Sequence, residues 1–126
     1  MNNKMILGVG VDIVKTSRFV HWLEKPLLGK RFFIKEELDY IYSKGKEAHI
    51  SFASHFAAKE AFGKALGCGL AGIRLKDISV RFLQQKPSLF LRGSAKSLFE
   101  KRGGKHTHLS LSHEKDNAIA LVVIET

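Results

Sequence analysis

The stretch that most restricts what this chain can fold into is 52–67, FASHFAAKEAFGKALG. Rich in Ala, with Leu, Lys and Glu in support, it predicts a helix. At about 100° per residue, Ala53, Phe56 and Ala57 point within roughly 60° of Glu60, and Lys64 lies one turn beyond, about 40° away. A carboxylate therefore sits in an apolar face of small residues, where a charge is costly unless something pairs with it. One reading is an i,i+4 pair of Glu60 with Lys64 on a solvated helix, worth about 0.3–0.5 kcal/mol. Phe62 points the other way, so the helix is apolar on more than one side. That favours a buried or interfacial helix in which Glu60 has a ligand.

Around this helix the chain has room for one compact domain, 1–126. Hydrophobic content of 44% with 26% charged residues is that of a soluble globular protein. Lys and Arg number 21 against 12 Asp and Glu, a formal +9, which predicts an acidic partner. Cys68 is the single cysteine and excludes an intrachain disulfide. MNNKMILGVGVDIV has no small-residue cleavage site and Asp12 interrupts its apolar run, so no signal peptide is expected. No run approaches the ~18 apolar residues of a membrane span, and a cytoplasmic protein is expected.

Taken in order, 6–14 alternates as a strand. Leu7, Val9, Val11 and Ile13 share one face, expected to be core; Ile6, Gly8, Gly10 and Asp12 share the other. The two glycines clear the surface leading to Asp12 for another backbone or a ligand. GVGVDI fails as a dinucleotide fingerprint, because Ile13 stands where the third Gly belongs. Asp12 reads equally as a cap of the next helix or as a ligand-binding acid. Thr16 or Ser17 then caps an expected helix through Glu24, with Phe19, Trp22 and Leu23 inward and Arg18, His21 and Lys25 on a basic side. Pro26 is expected to end it. A basic-aromatic connection 27–33 leads to a second helix, 35–43, with Leu38, Ile41 and Tyr42 inward.

After glycine breaks at 67, 69 and 72, the period changes. Strands are expected at 78–82 and 89–91 about a turn at 84–87. A helix at 94–101 follows, then strands at 108–112 and 118–124 joined by a hairpin loop at 114–117. His106 and His108 lack the further ligands of a structural zinc site. His113 stands at the hairpin mouth, a polar strand end or a site residue.

Three segments together, GVGVDIV, FAAKEAFGKALG and LSLSHEKDNAIA, resemble in order and spacing the holo-acyl-carrier-protein synthases. These are the short bacterial members of the 4′-phosphopantetheinyl transferases. The resemblance spans essentially the whole chain. It implies an α+β fold, an antiparallel sheet packed against a long central helix, in a homotrimer with active sites between subunits. It implies transfer of 4′-phosphopantetheine from coenzyme A to a serine of apo-acyl carrier protein, releasing adenosine 3′,5′-bisphosphate, a step of fatty acid biosynthesis.

By the same resemblance, magnesium is held by Asp12 and Glu60, Lys64 touches the phosphates, Lys59 and His113 lie near the coenzyme, and Arg18 meets the acidic carrier. The implied chemistry is in-line attack on the β-phosphate, with Glu60 or a water on the metal taking the serine proton. Two positions depart from the family pattern. His55 replaces an Arg and Gln85 a Gly of a G-K-P turn, which touches coenzyme affinity rather than reaction class. A small basic RNA-binding module is the competing reading. It lacks an aromatic RNP-type signature and gives Asp12 and Glu60 no purpose, so neither nucleic acid nor membrane is the expected partner.

Overall fold

The computed structural model describes residues 3–126. Strand β1 (Ile6–Lys15) runs into two 3₁₀ turns, Thr16–Phe19 and His21–Glu24. Helices α1 (Pro26–Phe32), α2 (Lys35–Tyr42) and α3 (Ala48–Leu66) follow. The second half holds the hairpin β2 (Ile78–Leu83) and β3 (Lys86–Leu91), helix α4 (Gly93–Lys101), and strands β4 (His106–His113) and β5 (Asn117–Glu125). β1, β5 and β4 form one antiparallel sheet in that order, β2 and β3 a second, and α3 lies across the first. This is the expected α+β arrangement of antiparallel strands on a long central helix.

Small residues set the distance between helix and sheet. Gly8 and Gly10 of β1 and Ala118 and Ala120 of β5 face α3, which answers with Ala57, Ala58, Ala61 and Ala65, all buried. A Cβ built on Gly10 would stand 2.0 Å from the Ala61 carbonyl oxygen, and one on Gly8 1.8 Å from that of Ala65. No side chain fits there, so the backbones meet directly.

This contact reverses the expected orientation of β1. Leu7, Val9, Val11 and Ile13 do not enter the core; Val11 is 55% and Ile13 62% exposed. The period-2 alternation is correct, but the helix needs the glycine face to come close, and the large side chains are left outside. With Ile119 and Leu121 of β5 they form an apolar outer face on the sheet.

The N-terminal half of α3 packs under an aromatic cluster of Phe19, Trp22, Phe33 and Phe52, with rings 4.9–6.3 Å apart. The cluster corrects three further expectations. The segment 16–24 is two 3₁₀ turns rather than a capped helix, and Thr16 Oγ1 donates instead to the Lys115 carbonyl at 2.7 Å. Pro26 opens α1 rather than closing a helix, since a first-turn Pro forfeits no helical hydrogen bond. Tyr42 points outward, 41% exposed, while Leu38 and Ile41 are buried. The β2–β3 turn is also tighter than 84–87: Gln84 and Gln85 alone make it, both at positive φ, and Pro87 lies within β3 opposite Phe82.

Gly10→Ala is expected to lower stability by about 1–3 kcal/mol, because the helix must back away from the sheet. Chemical denaturation of the variant checks this; an unchanged unfolding midpoint would mean the contact is looser than described.

Candidate active site

The contact between β1 and α3 brings two distant acids to one corner. Asp12 lies two residues past Gly10 on the helix-facing side of β1, opposite Ala120. Glu60 and Lys64 project from the face of α3 that carries Ala61 and Ala65 against that strand. Lys64 Nζ donates to Asp12 Oδ1 at 3.0 Å and to the Val11 carbonyl at 3.1 Å. The pairing of Glu60 with Lys64 that the helix spacing allows is therefore not made; Lys64 reaches across to the strand instead. Among the described residues Glu60 has no ion-pair partner within 4 Å.

Burial raises the Glu60 carboxyl above its ordinary range, and the Asp12 charge raises it further; Lys64 and Arg18 oppose the shift. The two acids thus share one electrostatic site. Arg18 belongs to it as well. Its guanidinium lies 4.7 Å from the centre of the Phe56 ring and 5.6 Å from that of Phe19. Phe56 of α3 and Phe19 of the first 3₁₀ turn hold this cation where Glu60 feels its charge.

Asp12, Glu60 and the Val11 carbonyl are hard oxygen donors, the set a magnesium-sized cation prefers. Among the described residues no cluster of three or more His, Cys, Asp and Glu side chains is present. Two carboxylates suit a cation that completes its shell with phosphate oxygens and water.

Lys59 has a different place from the one expected beside a coenzyme. Its side chain is fully buried and donates to Glu37 Oε1 at 2.9 Å, to the Leu75 carbonyl at 3.0 Å and to the Ile78 carbonyl. Glu37 also accepts the backbone N–H of Ile34 and of Val80, each at 3.1 Å. Burial lowers the Lys59 ammonium and raises the Glu37 carboxyl, and each partner's charge opposes the other's shift. All three Nζ protons are engaged, so Lys59 ties α2, α3 and β2 together and has no donor left for a phosphate.

His113 and Lys44 stand apart from the acids. His113 ends β4, which reaches β1 only across β5, level with Ala118 and Val14. It lines a cavity of about 330 Å³ with Tyr40, Lys44, His55, Phe82 and Gln85. His55 points roughly 140° around α3 from Glu60, so the cavity and the acidic corner lie on opposite sides of the helix. Nothing in the hydrophobic period marks Tyr40, Lys44 or Phe82 in advance. They meet only because α2, the turn at Gly45 and the β2–β3 hairpin converge.

His55 is no substitute for a cationic arginine. Its Nδ1 donates to the Ser51 carbonyl at 2.9 Å, its Nε2 is buried with no partner among the described residues, and burial lowers its pKa to about 3. It is neutral at any working pH.

A neutral buried His carries a pH signature. Between about 3 and 6.5 the unfolded chain binds the proton and the folded one does not, so stability falls as pH drops. The contribution of His55 between pH 7 and pH 5 is about 2 kcal/mol. Urea titrations at the two pH values should give a flatter dependence for His55→Gln than for the wild type; equal slopes would mean the ring is accessible to protons when folded.

A family model described as the 4′-phosphopantetheinyl transferase superfamily matches residues 8–122. A holo-[acyl-carrier-protein] synthase of Treponema denticola is 55% identical over 122 residues, covering 96% of this chain and 99% of the relative. The crystal structure of such a synthase from Neisseria meningitidis superposes with a TM-score of 0.86 at 32% identity, covering 97% of this chain and all of that one. One from Bacillus anthracis, in complex with CoA (3′,5′-ADP), gives 0.80 at 34% identity over 97% of this chain and 98% of that one. These matches span nearly the whole chain and include the strand and helix that carry Asp12 and Glu60: the chain belongs to the 4′-phosphopantetheinyl transferase superfamily, among the holo-[acyl-carrier-protein] synthases.

Proposed function

We propose that this chain, acting as a single transferase domain, moves the 4′-phosphopantetheine group of coenzyme A onto a serine hydroxyl of apo-acyl carrier protein. The products are the holo carrier, for use in fatty acid biosynthesis, and adenosine 3′,5′-bisphosphate. The observation that carries this reading is the meeting of Asp12, Glu60, Lys64 and Arg18 in one corner of a chain of this family.

Asp12 and Glu60 are the residues that would hold magnesium, which when bound supplies positive charge for the diphosphate. Lys64, half exposed beside Asp12, would bind a phosphate oxygen. The serine proton would go to Glu60 or to a water held beside it in the same corner. Arg18, stacked and exposed, offers a fixed cation to an acidic carrier helix, and the +9 surplus draws that partner in. Lys59 takes no part in binding coenzyme A.

The working unit in this reading is a homotrimer. The face of Leu7, Val9, Val11, Ile13, Ile119 and Leu121 is a contiguous apolar surface suited to a second copy. The His113 cavity and the acidic corner lie on opposite sides of α3 in one chain, so a neighbouring copy would bring the one to the other. No described helix is long and apolar enough to cross a membrane.

The test is to incubate the protein with coenzyme A, magnesium and several apo carriers and weigh the carriers. A gain of one phosphopantetheinyl group is expected; no gain on any carrier would sink the transferase reading. Glu60→Gln is expected to slow transfer about 10²–10⁴-fold with an unchanged melting temperature.

For Arg18→Ala the expected outcome is a rise of about tenfold in KM for the carrier with a much smaller change in kcat. The wild-type KM should rise with added salt. A KM indifferent to salt would count against electrostatic docking.

A further inference from the structure

We propose that Lys64 is the resident counter-ion of Asp12 and surrenders that place to a divalent cation, so that metal and diphosphate-bearing donor bind together rather than independently. This rests on the reading of Asp12 and Glu60 as metal ligands.

Lys64 Nζ touches two oxygens, Asp12 Oδ1 at 3.0 Å and the Val11 carbonyl at 3.1 Å. Both are of the kind a magnesium-sized cation takes. The Asp12 side chain is 15% exposed and held in the sheet; that of Lys64 is 51% exposed, on a flexible tether that can turn into solvent. The acid is therefore the fixed partner and the ammonium the movable one.

The corner holds two carboxylates, and its nearest cation is committed to only one of them. Glu60 feels Lys64 and Arg18 as charges but bonds to neither among the described residues. A divalent cation shared by Asp12 and Glu60 would stand against the Lys64 ammonium over the same carboxylate, and like charges at that range repel. Lys64 would then leave Asp12 and need new acceptors. The phosphates of the donor are the acceptors that arrive in the same corner.

Two consequences follow. Without a phosphate ligand, Lys64 competes with the cation and keeps its affinity low. With one, the displaced ammonium binds the phosphate and the competition ends. The coupling is reciprocal, each ligand tightening the other by the same factor. Lys64 is in this sense a positioning residue that makes the site assemble only around the complete donor.

The measurement is Mn2+ binding to the intact chain, read from the electron paramagnetic resonance of the free ion, with and without coenzyme A. Wild type is expected to bind Mn2+ about tenfold or more tightly when coenzyme A is present. Lys64→Met is expected to bind Mn2+ alone about three- to tenfold more tightly than wild type, and its gain from coenzyme A should shrink. Lys64→Arg, which keeps a cation, should resemble wild type. Circular dichroism and thermal melts establish that each variant is folded, and Lys64→Gln serves if the Met variant is not.

Equal or weaker Mn2+ binding by the uncharged variants, or an undiminished coupling, overturns the proposal. If Asp12→Asn abolishes a Mn2+ site that the Lys64 variants leave unchanged, this inference fails and the metal reading stands. If no Asp12-dependent Mn2+ site exists even with coenzyme A, both fail.

Discussion

The direct seating of α3 on the glycine face of β1 is the contact from which the rest of the molecule follows. Gly8 and Gly10 let the Ala61 and Ala65 carbonyls approach to distances that exclude even one methyl group. That closeness puts Asp12 within a lysine's reach of the helix and makes its charge felt by Glu60. It also turns the large side chains of β1 outward, and so creates the apolar outer face of the sheet. One packing choice therefore generates both the acidic corner and the exposed apolar face.

Adjacent residues of α3 serve opposite ends. Lys59 and Glu60 are neighbours in sequence but roughly 100° apart around the helix. Lys59 points into the protein, where Glu37 and two carbonyls consume its three protons. A buried pair of this kind contributes little net stability over apolar residues of similar volume, yet removing one partner leaves a stranded charge. Glu60 points to the edge, where burial is partial and no described partner bonds to it. The Lys59 charge is fully satisfied inside the fold; the Glu60 charge is left without a bonded partner among the described residues.

Much of this was legible in the chain. The long helix, the strand at 6–14, the C-terminal hairpin and the unpaired setting of Glu60 follow from period, turn residues and the cost of a charge among alanines. The errors have particular causes. For the buried face of β1, hydrophobicity favours the side with the larger side chains, whereas close approach favours the side with none, and close approach wins. Pro26 is ambiguous by itself, since the same ring that ends one helix fits the first turn of the next. Lys59 carries a positive charge in a phosphate-binding family, and only the positions of Glu37, Leu75 and Ile78 show that it is already used.

The helix expected at 16–24 is instead two 3₁₀ turns, and the connection expected at 27–33 is largely helix α1. What the sequence determined alone was the long helix, the strands and the chemistry of each side chain. These are local matters, settled by propensity and periodicity within a few residues. The tertiary structure decided which lysine is buried and which half exposed, which face of β1 is core, where Arg18 stands and that His55 is neutral. Those outcomes depend on partners 20 to more than 50 residues away, as with Lys59 and Glu37 or Lys64 and Asp12. No local rule reports a donor's remaining capacity; that is settled only when the chain closes around it.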